Sequence, residues 1–279
     1  MSHEKEADVK TYSTYQTLSH HPFASSALHY SVRIKAAIVQ RGTVLRAEAK
    51  YKRLPSKAEY YCLMVGTDLA NVLTICQQLE HSILYFSSFS PTRKMRKAGI
   101  TRQAHLLYCI ENYIVRSQSL YDRLLKLVDA VFEIYNPSRR ISHELIVGNS
   151  HVRHSRIPNA LKVLSKALEP YRRERNVIIH ERQFLEDDIR ELEAYTILVT
   201  SDGPCKGERA LMGRVGFLVK QVVKDKMKEF SKVNHDSFVA LGEIFNHLNK
   251  QYEYKREILE RLHGKSELAP FLMKPSDGD

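Results

Sequence analysis

The chain of 279 residues is long enough for a substantial core, in one large domain or two small ones. Its hydrophobic content of 43% and charged content of 27% fall in the ordinary globular range, so folding is expected. A formal charge of +11 and a sequence pI near 9.4 make the surface cationic, which favours nucleic acid or an anionic membrane surface as partner and says nothing about fold.

The cysteines Cys62, Cys76, Cys109 and Cys205 are widely spaced, with no C-x-x-C pair and no compact Cys/His cluster, so no structural zinc site is expected. Three of them sit in apolar helical runs, where cysteine is usually a small buried hydrophobe, and reduced thiols in a cytosol are the default. Residues 1–20 are polar and lack the apolar stretch of a signal peptide. No uninterrupted apolar run approaches the ~18 residues of a membrane span. The expectation is a cytoplasmic protein with no membrane partner.

In chain order, residues 1–26 read as a flexible arm and 27–55 as an N-terminal extension. Within the extension Tyr30, Val32, Ile34, Ala36 and Ile38 alternate with more polar neighbours, as a β-hairpin would, while Tyr30, Ile34, Ala37 and Ile38 fit a helical stripe equally well. After Pro55 the spacing of Ser56 and Glu59 is that of a capping box opening a long amphipathic helix, which Pro91 follows. Residues 92–102 are basic without an acid and predict a solvated loop. A second long helix is expected from Arg102 to about Tyr135, stopped by Asn136-Pro137. Residues 138–156 lack periodicity and predict a loop, whose histidines His143, His151 and His154 have no carboxylate or thiol cluster to complete a metal site.

A short helix over 158–168 leads to Pro170, which favours the start of a further helix running to about Val199. Val177, Ile178, Phe184, Leu185, Leu192 and Tyr195 give that helix one buried face. Ser201-Asp202-Gly203-Pro204 is a strong break. Two more amphipathic helices then follow, divided between Phe230 and Phe238 and capped at Gly264, with a loose tail over 265–279. One mainly α, up-and-down helical bundle over 56–264 is the expected fold.

The chemistry concentrates just after Pro170, in Tyr171-Arg172-Arg173-Glu174-Arg175-Asn176-Val177-Ile178-Ile179-His180-Glu181-Arg182. Arg173, Asn176 and His180 share one helical stripe, and the long arm of Arg175 is needed to reach a ligand common with His180. Arg256 to His263 and Arg173 to His180 offer other Arg/His spacings, and Glu260 to His263 is a lone E-x-x-H where a di-iron site needs two.

Arg175-Asn176-Val177-Ile178-Ile179-His180 resembles the R-x(4 to 6)-H signature of the HEPN superfamily, commonly with Asn after the Arg. A preceding long helix with Glu111, Asn112, Tyr113, Arg116 and Asp122 looks like the helix that faces the motif in such domains. The resemblance implies an all-helical domain that cuts RNA without metal or cofactor as a homodimer, in some cases as the toxin or defence effector of a pair with an antitoxin or regulatory partner. On that reading Arg175, Asn176 and His180 are catalytic, Arg172, Arg173 and Arg182 guide the RNA backbone, and Glu111, Arg116 and Asp122 support the site. The residue types suit the chemistry. An imidazole can take a proton from a ribose 2′-hydroxyl near neutral pH, and a permanently charged guanidinium fork can hold a phosphate as charge grows on its oxygens. Two other readings stay open: His180 satisfies a buried group such as Glu111 or Asp122, or the domain is a noncatalytic RNA-binding or protein-assembly module.

Overall fold

The computed structural model describes residues 12–38, 55–134, 141–180, 184, 187–200 and 208–263. Every regular element among them is helical: α1 Tyr15–Ser19, α2 Pro22–Ile38, α3 Lys57–Ser87, α4 Arg93–Lys97, α5 Arg102–Phe132, α6 His143–Gly148, α7 Ser150–Arg153, α8 Ile157–Leu168, a 3₁₀ turn Glu169–Tyr171, α9 Arg172–His180, α10 Asp187–Thr200 and α11 Glu208–His263. The all-α class expected from the sequence is the observed one. None of these helices is long and apolar enough to cross a membrane. The chain forms two compact units: residues 1–74, 121–164 and 238–279 make the first, and 75–120 with 165–237 the second, so α3, α5, α8 and α11 contribute to both.

In the first unit the stretch from Thr14 corrects the expectation of a flexible arm over 1–26. Thr14 and Thr17 form a reciprocal cap that opens α1, a capping box with Thr in the place usually held by Glu. Leu18, Phe23, Ala24 and Ala27 are then fully buried. Phe23 meets Phe245 and Tyr252 edge-on at 5.5 and 5.8 Å, and His21 hydrogen-bonds Asn246 Oδ1 at 3.0 Å while its other ring nitrogen accepts the Phe23 N–H. Short polar spacing hid a segment that is held by aromatic contacts distant in sequence. Of the two open alternatives for the extension, the helix is seen as far as Ile38; residues 39–54 and 1–11 lie outside the described residues. The capping box at Ser56 and Glu59 forms as its spacing requires, with the Ser56 N–H donating to Glu59 at 2.9 Å and the Glu59 N–H to Ser56 Oγ at 3.2 Å.

α2 crosses α3 where Gly66 has no side chain: a Cβ there would stand 2.2 Å from Ser31 Cβ. Alanine is the better helix former by ~1 kcal/mol, but the overlap costs ~1–3 kcal/mol in a packed contact and outweighs it. Gly66→Ala is therefore expected to lower the urea midpoint, and a raised midpoint would show that α2 shifts freely.

Residues 138–156 are not a plain loop. Ser142 caps α6 by accepting the Leu145 N–H at 3.3 Å, and Asn149 caps α7 by accepting the His151 and Val152 N–H groups at 3.0 and 3.4 Å. Helices of six and four residues are too short to display a period, which is why the sequence concealed them. The basic segment 92–102 likewise contains α4. α5 ends at Phe132, short of Asn136-Pro137, because Glu133 turns into the left-handed region at φ 51°.

The second unit is centred on Tyr113 of α5, stacked on Phe230 of α11 at 3.8 Å with Phe86 of α3 5.8 Å from Phe230. The Tyr113 hydroxyl lies within hydrogen-bond distance of the Phe230 carbonyl (3.1 Å) and Asn234 Oδ1 (2.8 Å), and burial raises its pKa well above that of an ordinary phenol. Asn234 and Ser237 are buried polar residues. They interrupt the apolar stripe without stopping the helix, and so two expected C-terminal helices are one 56-residue helix. Gly264 and the tail lie outside the described residues.

Candidate active site

The motif falls on α9, nine residues that begin two after Pro170. Pro170 occupies the 3₁₀ turn rather than the helix itself, consistent with its fixed φ and missing N–H. The buried face expected of a single helix over 170–199 does not exist as such. α9 buries none of its residues, Val177 and Ile178 are half-buried, and Phe184 stands outside helix between α9 and α10. Leu185 lies outside the described residues, while Leu192 is buried in α10 and Tyr195 is half-buried there. Asp187 and Asp188 in the first turn of α10 favour a new helix N-terminus, a signal present in the sequence and outweighed by the apparent continuity of the apolar pattern.

An exposed helix needs fastening, and both flanks supply it. Before α9, Tyr171 is buried edge-on to Tyr113 and Phe230 at 5.7 and 6.0 Å, and its hydroxyl donates to Glu229 Oε1 at 2.5 Å. After α9, Phe184 is buried and its backbone N–H donates to Glu111 Oε1 at 2.9 Å. Lys226 joins the two fastenings, pairing with Glu229 at 2.8 Å and standing 5.7 Å from the Phe184 ring. Gln118 donates to the Leu168 carbonyl at 2.7 Å and satisfies an end group of α8 just ahead of the turn. Tyr171, Phe184, Lys226 and Glu229 were not candidates from sequence, since single apolar or charged residues carry no spacing that links them to Arg175.

The predicted site residues separate into three groups. Arg172, Arg173, Asn176 and His180 are exposed on α9 and Arg175 is half-buried there; Arg175 Nη1 donates to Asn176 Oδ1 at 3.2 Å, and Arg172 is 3.9 Å from Glu169. Exposure of His180 removes the reading in which its ring satisfies a buried group. Glu111 and Arg116 serve structure: Glu111 holds Phe184, and Arg116 bonds Asn112 at 2.9 Å and Gln78. Asp122 is exposed and belongs to the first unit, and Arg182 lies outside the described residues.

Two of the three histidines of 138–156 take separate bonds. His143 meets the Tyr121 hydroxyl at 2.7 Å and His154 the Ser150 carbonyl at 2.7 Å. Among the described residues no group of three or more His, Cys, Asp or Glu is placed to hold a metal ion.

Residues 67–249, more than half of the chain, match the family model of the Cthe2314-like HEPN domain. The chain belongs to the HEPN superfamily. No curated protein and no solved structure matches it. The HEPN match runs from α3 into the later part of α11 and includes the whole of α9 with its flanking Tyr171 and Phe184. In this HEPN domain one short helix carries an exposed amide and imidazole beside a half-buried guanidinium, with two further exposed cations.

The role of Glu111 can be separated by substitution. Glu111→Gln keeps an acceptor for the Phe184 N–H and is expected to remain close to the parent in stability; Glu111→Ala orphans that donor and is expected to cost ~1–3 kcal/mol in urea denaturation. Equal stability of the two variants would overturn the anchoring role.

Proposed function

We propose that the protein is a metal-independent endoribonuclease that cleaves RNA by 2′-hydroxyl transesterification, working as a homodimer and as the toxin or defence effector of a regulated pair. The observation that carries this reading is the presentation of Arg175 and His180 to solvent on one helix fastened at both ends, where neither side chain is needed for the core. His180 takes the proton of a ribose 2′-hydroxyl. The 2′ oxygen attacks the adjacent phosphorus, Arg175 holds the phosphate oxygens as charge accumulates on them, the bond to the 5′ oxygen breaks, and that oxygen takes up a proton. The products are a 2′,3′-cyclic phosphate and a free 5′-hydroxyl. Asn176 orients the guanidinium with which it is hydrogen-bonded, and Arg172 and Arg173 draw in the backbone.

A second copy supplies the opposite wall of an otherwise open site. In the second unit Ile179 of α9 and Met212 and Phe217 of α11 are large apolar residues left exposed, 44%, 56% and 56% respectively, which favours association through this unit.

The test is incubation of the purified protein with mixed RNA in EDTA, followed by analysis of the ends. Fragments with cyclic phosphate and 5′-hydroxyl termini are expected. Absence of cleavage on any RNA would favour the noncatalytic binding or assembly module, and 3′-hydroxyl termini would overturn the transesterification chemistry.

A further inference from the structure

In the first unit a groove of about 1060 Å³ runs along α11 and includes no residue of α9. Its long wall is the stripe His247, Lys250, Gln251, Tyr254, Lys255 and Ile258, whose steps of three and four keep to one side of the helix. At ~1.5 Å per residue the stripe is about 16 Å long, three helical turns. The other walls come from the start of α3, the end of α5, and α7 with the start of α8. A groove of that length has the dimension of a polypeptide segment.

Four cations line it, Lys57, Arg156, Lys250 and Lys255, against one carboxylate, Glu133, which already pairs with Lys255 at 2.7 Å. Lys57, Arg156 and Lys250 are exposed and have no ion-pair partner among the described residues. Their charge registers on His247, whose pKa is lowered first by burial and then, against the opposing pull of Glu243, by Arg156 and Lys250. The lining is also apolar: Ile134 and Ile258 are half-buried, Tyr254 is 62% exposed, and Phe132 and Ile157 lie buried among them.

The occupant must answer both features. A compact anion leaves the apolar surface uncovered, and a nucleic-acid backbone sets sugar and phosphate against the isoleucines. A flat membrane does not enter a groove, and a second copy of this chain brings the same charge of +11. Carboxylates on one side of a helix and aliphatic residues on the other meet both demands at once. Lys57, Lys250, Tyr254, Lys255 and Ile258 also fall outside residues 67–249, the part matched to the HEPN model, so most of the groove is this chain's own addition to the domain.

We propose that this groove docks an acidic amphipathic helix of a partner protein, whose apolar stripe covers Ile134, Tyr254 and Ile258 while its carboxylates meet Lys57, Arg156 and Lys250. The inference stands apart from the cleavage reading, because it uses none of the α9 residues.

The experiment uses the full chain carrying His180→Ala, so that competing RNA is not consumed. The probe is a fluorescent model peptide with leucine at helical steps of three and four and glutamate on its other face. Two controls accompany it, one with the same composition and the leucines moved off the stripe, the other with glutamine in place of glutamate. Saturable binding of the model peptide is expected, with a gain of helical circular dichroism and at least a tenfold weaker Kd for each control. Lys250→Glu is compared with Lys35→Glu, an exposed residue of the same unit outside the groove lining, so that both change the net charge equally. At least a tenfold loss is expected for Lys250→Glu and little change for Lys35→Glu, while Ile134→Gln weakens the peptide through the apolar contact alone. Should Lys250→Glu lower the melting temperature, Arg156→Glu on another wall repeats the comparison. No saturable peptide binding, equal binding of the rearranged control, or equal effects of the two charge reversals would overturn the proposal. A single-stranded RNA that displaces the peptide and itself loses affinity with Lys250→Glu would overturn it too, giving the groove to nucleic acid.

Discussion

His180→Ala and Arg175→Ala are each expected to lower the rate of RNA cleavage by at least about a hundredfold while leaving the urea midpoint unchanged. The two halves of this result have separate origins. The rate falls because one change removes the group that takes the 2′-hydroxyl proton and the other the fork that holds the phosphate. Stability holds because α9 buries none of its residues, His180 is exposed, and the hydrogen bond of Arg175 goes to its own neighbour Asn176. Arg175→Lys keeps the charge without the bidentate geometry, and an intermediate rate is expected from it. Cleavage that persists unchanged in both alanine variants would overturn the catalytic reading. A large fall in midpoint for His180→Ala, with RNA binding retained, would instead make the ring a structural element.

Phe184→Ala is expected to do the opposite, with a loss of about 3–5 kcal/mol in stability and cleavage falling with it although no reacting group has been touched. Phe184 is 4% exposed, and its ring lies beside Lys226, which in turn pairs with Glu229, the acceptor of the Tyr171 hydroxyl. Truncation leaves a cavity at one end of α9 and loosens Lys226 from its ring. Tyr171→Phe provides the graded comparison, since it removes only the hydroxyl and leaves the aromatic packing against Tyr113 and Phe230, so about 1–2 kcal/mol is expected. Equilibrium urea unfolding gives both values, and protease cutting within α9 reports the loosening directly. Wild-type cleavage by a destabilised Phe184→Ala protein would show that α9 needs no anchor.

Much of this molecule could be read before its structure. Ser56 and Glu59 announced the start of α3 because a capping box is a local device whose partners are three residues apart. The long apolar stripes of α3 and α5 gave two 31-residue helices for the same reason. Local signals failed where a distant contact decides. Nothing between Glu181 and Asp188 breaks a helix chemically, yet the Phe184 N–H bonds Glu111, 73 positions earlier in the chain. The N-terminal stretch looked loose because its partners, Phe245, Asn246, Tyr252 and Glu253, lie more than 200 residues away. At the site, Arg175, Asn176 and His180 were legible as a pattern, while Glu111 and Arg116 were legible only as polar residues on a facing helix. The structure bonds Glu111 to the Phe184 N–H and Arg116 to Asn112 and Gln78, and those bonds depend on packing that no spacing rule contains.

Fixing α9 from outside has a further result for variation. With its fastenings in Tyr171 and Phe184, the outward residues Arg172 and Arg173 can be exchanged at little thermodynamic penalty. A library randomised at these two positions, with Asn176 and Ile179 kept, should therefore consist mostly of folded proteins, in which selection can retune the proposed RNA preference on an unchanged scaffold.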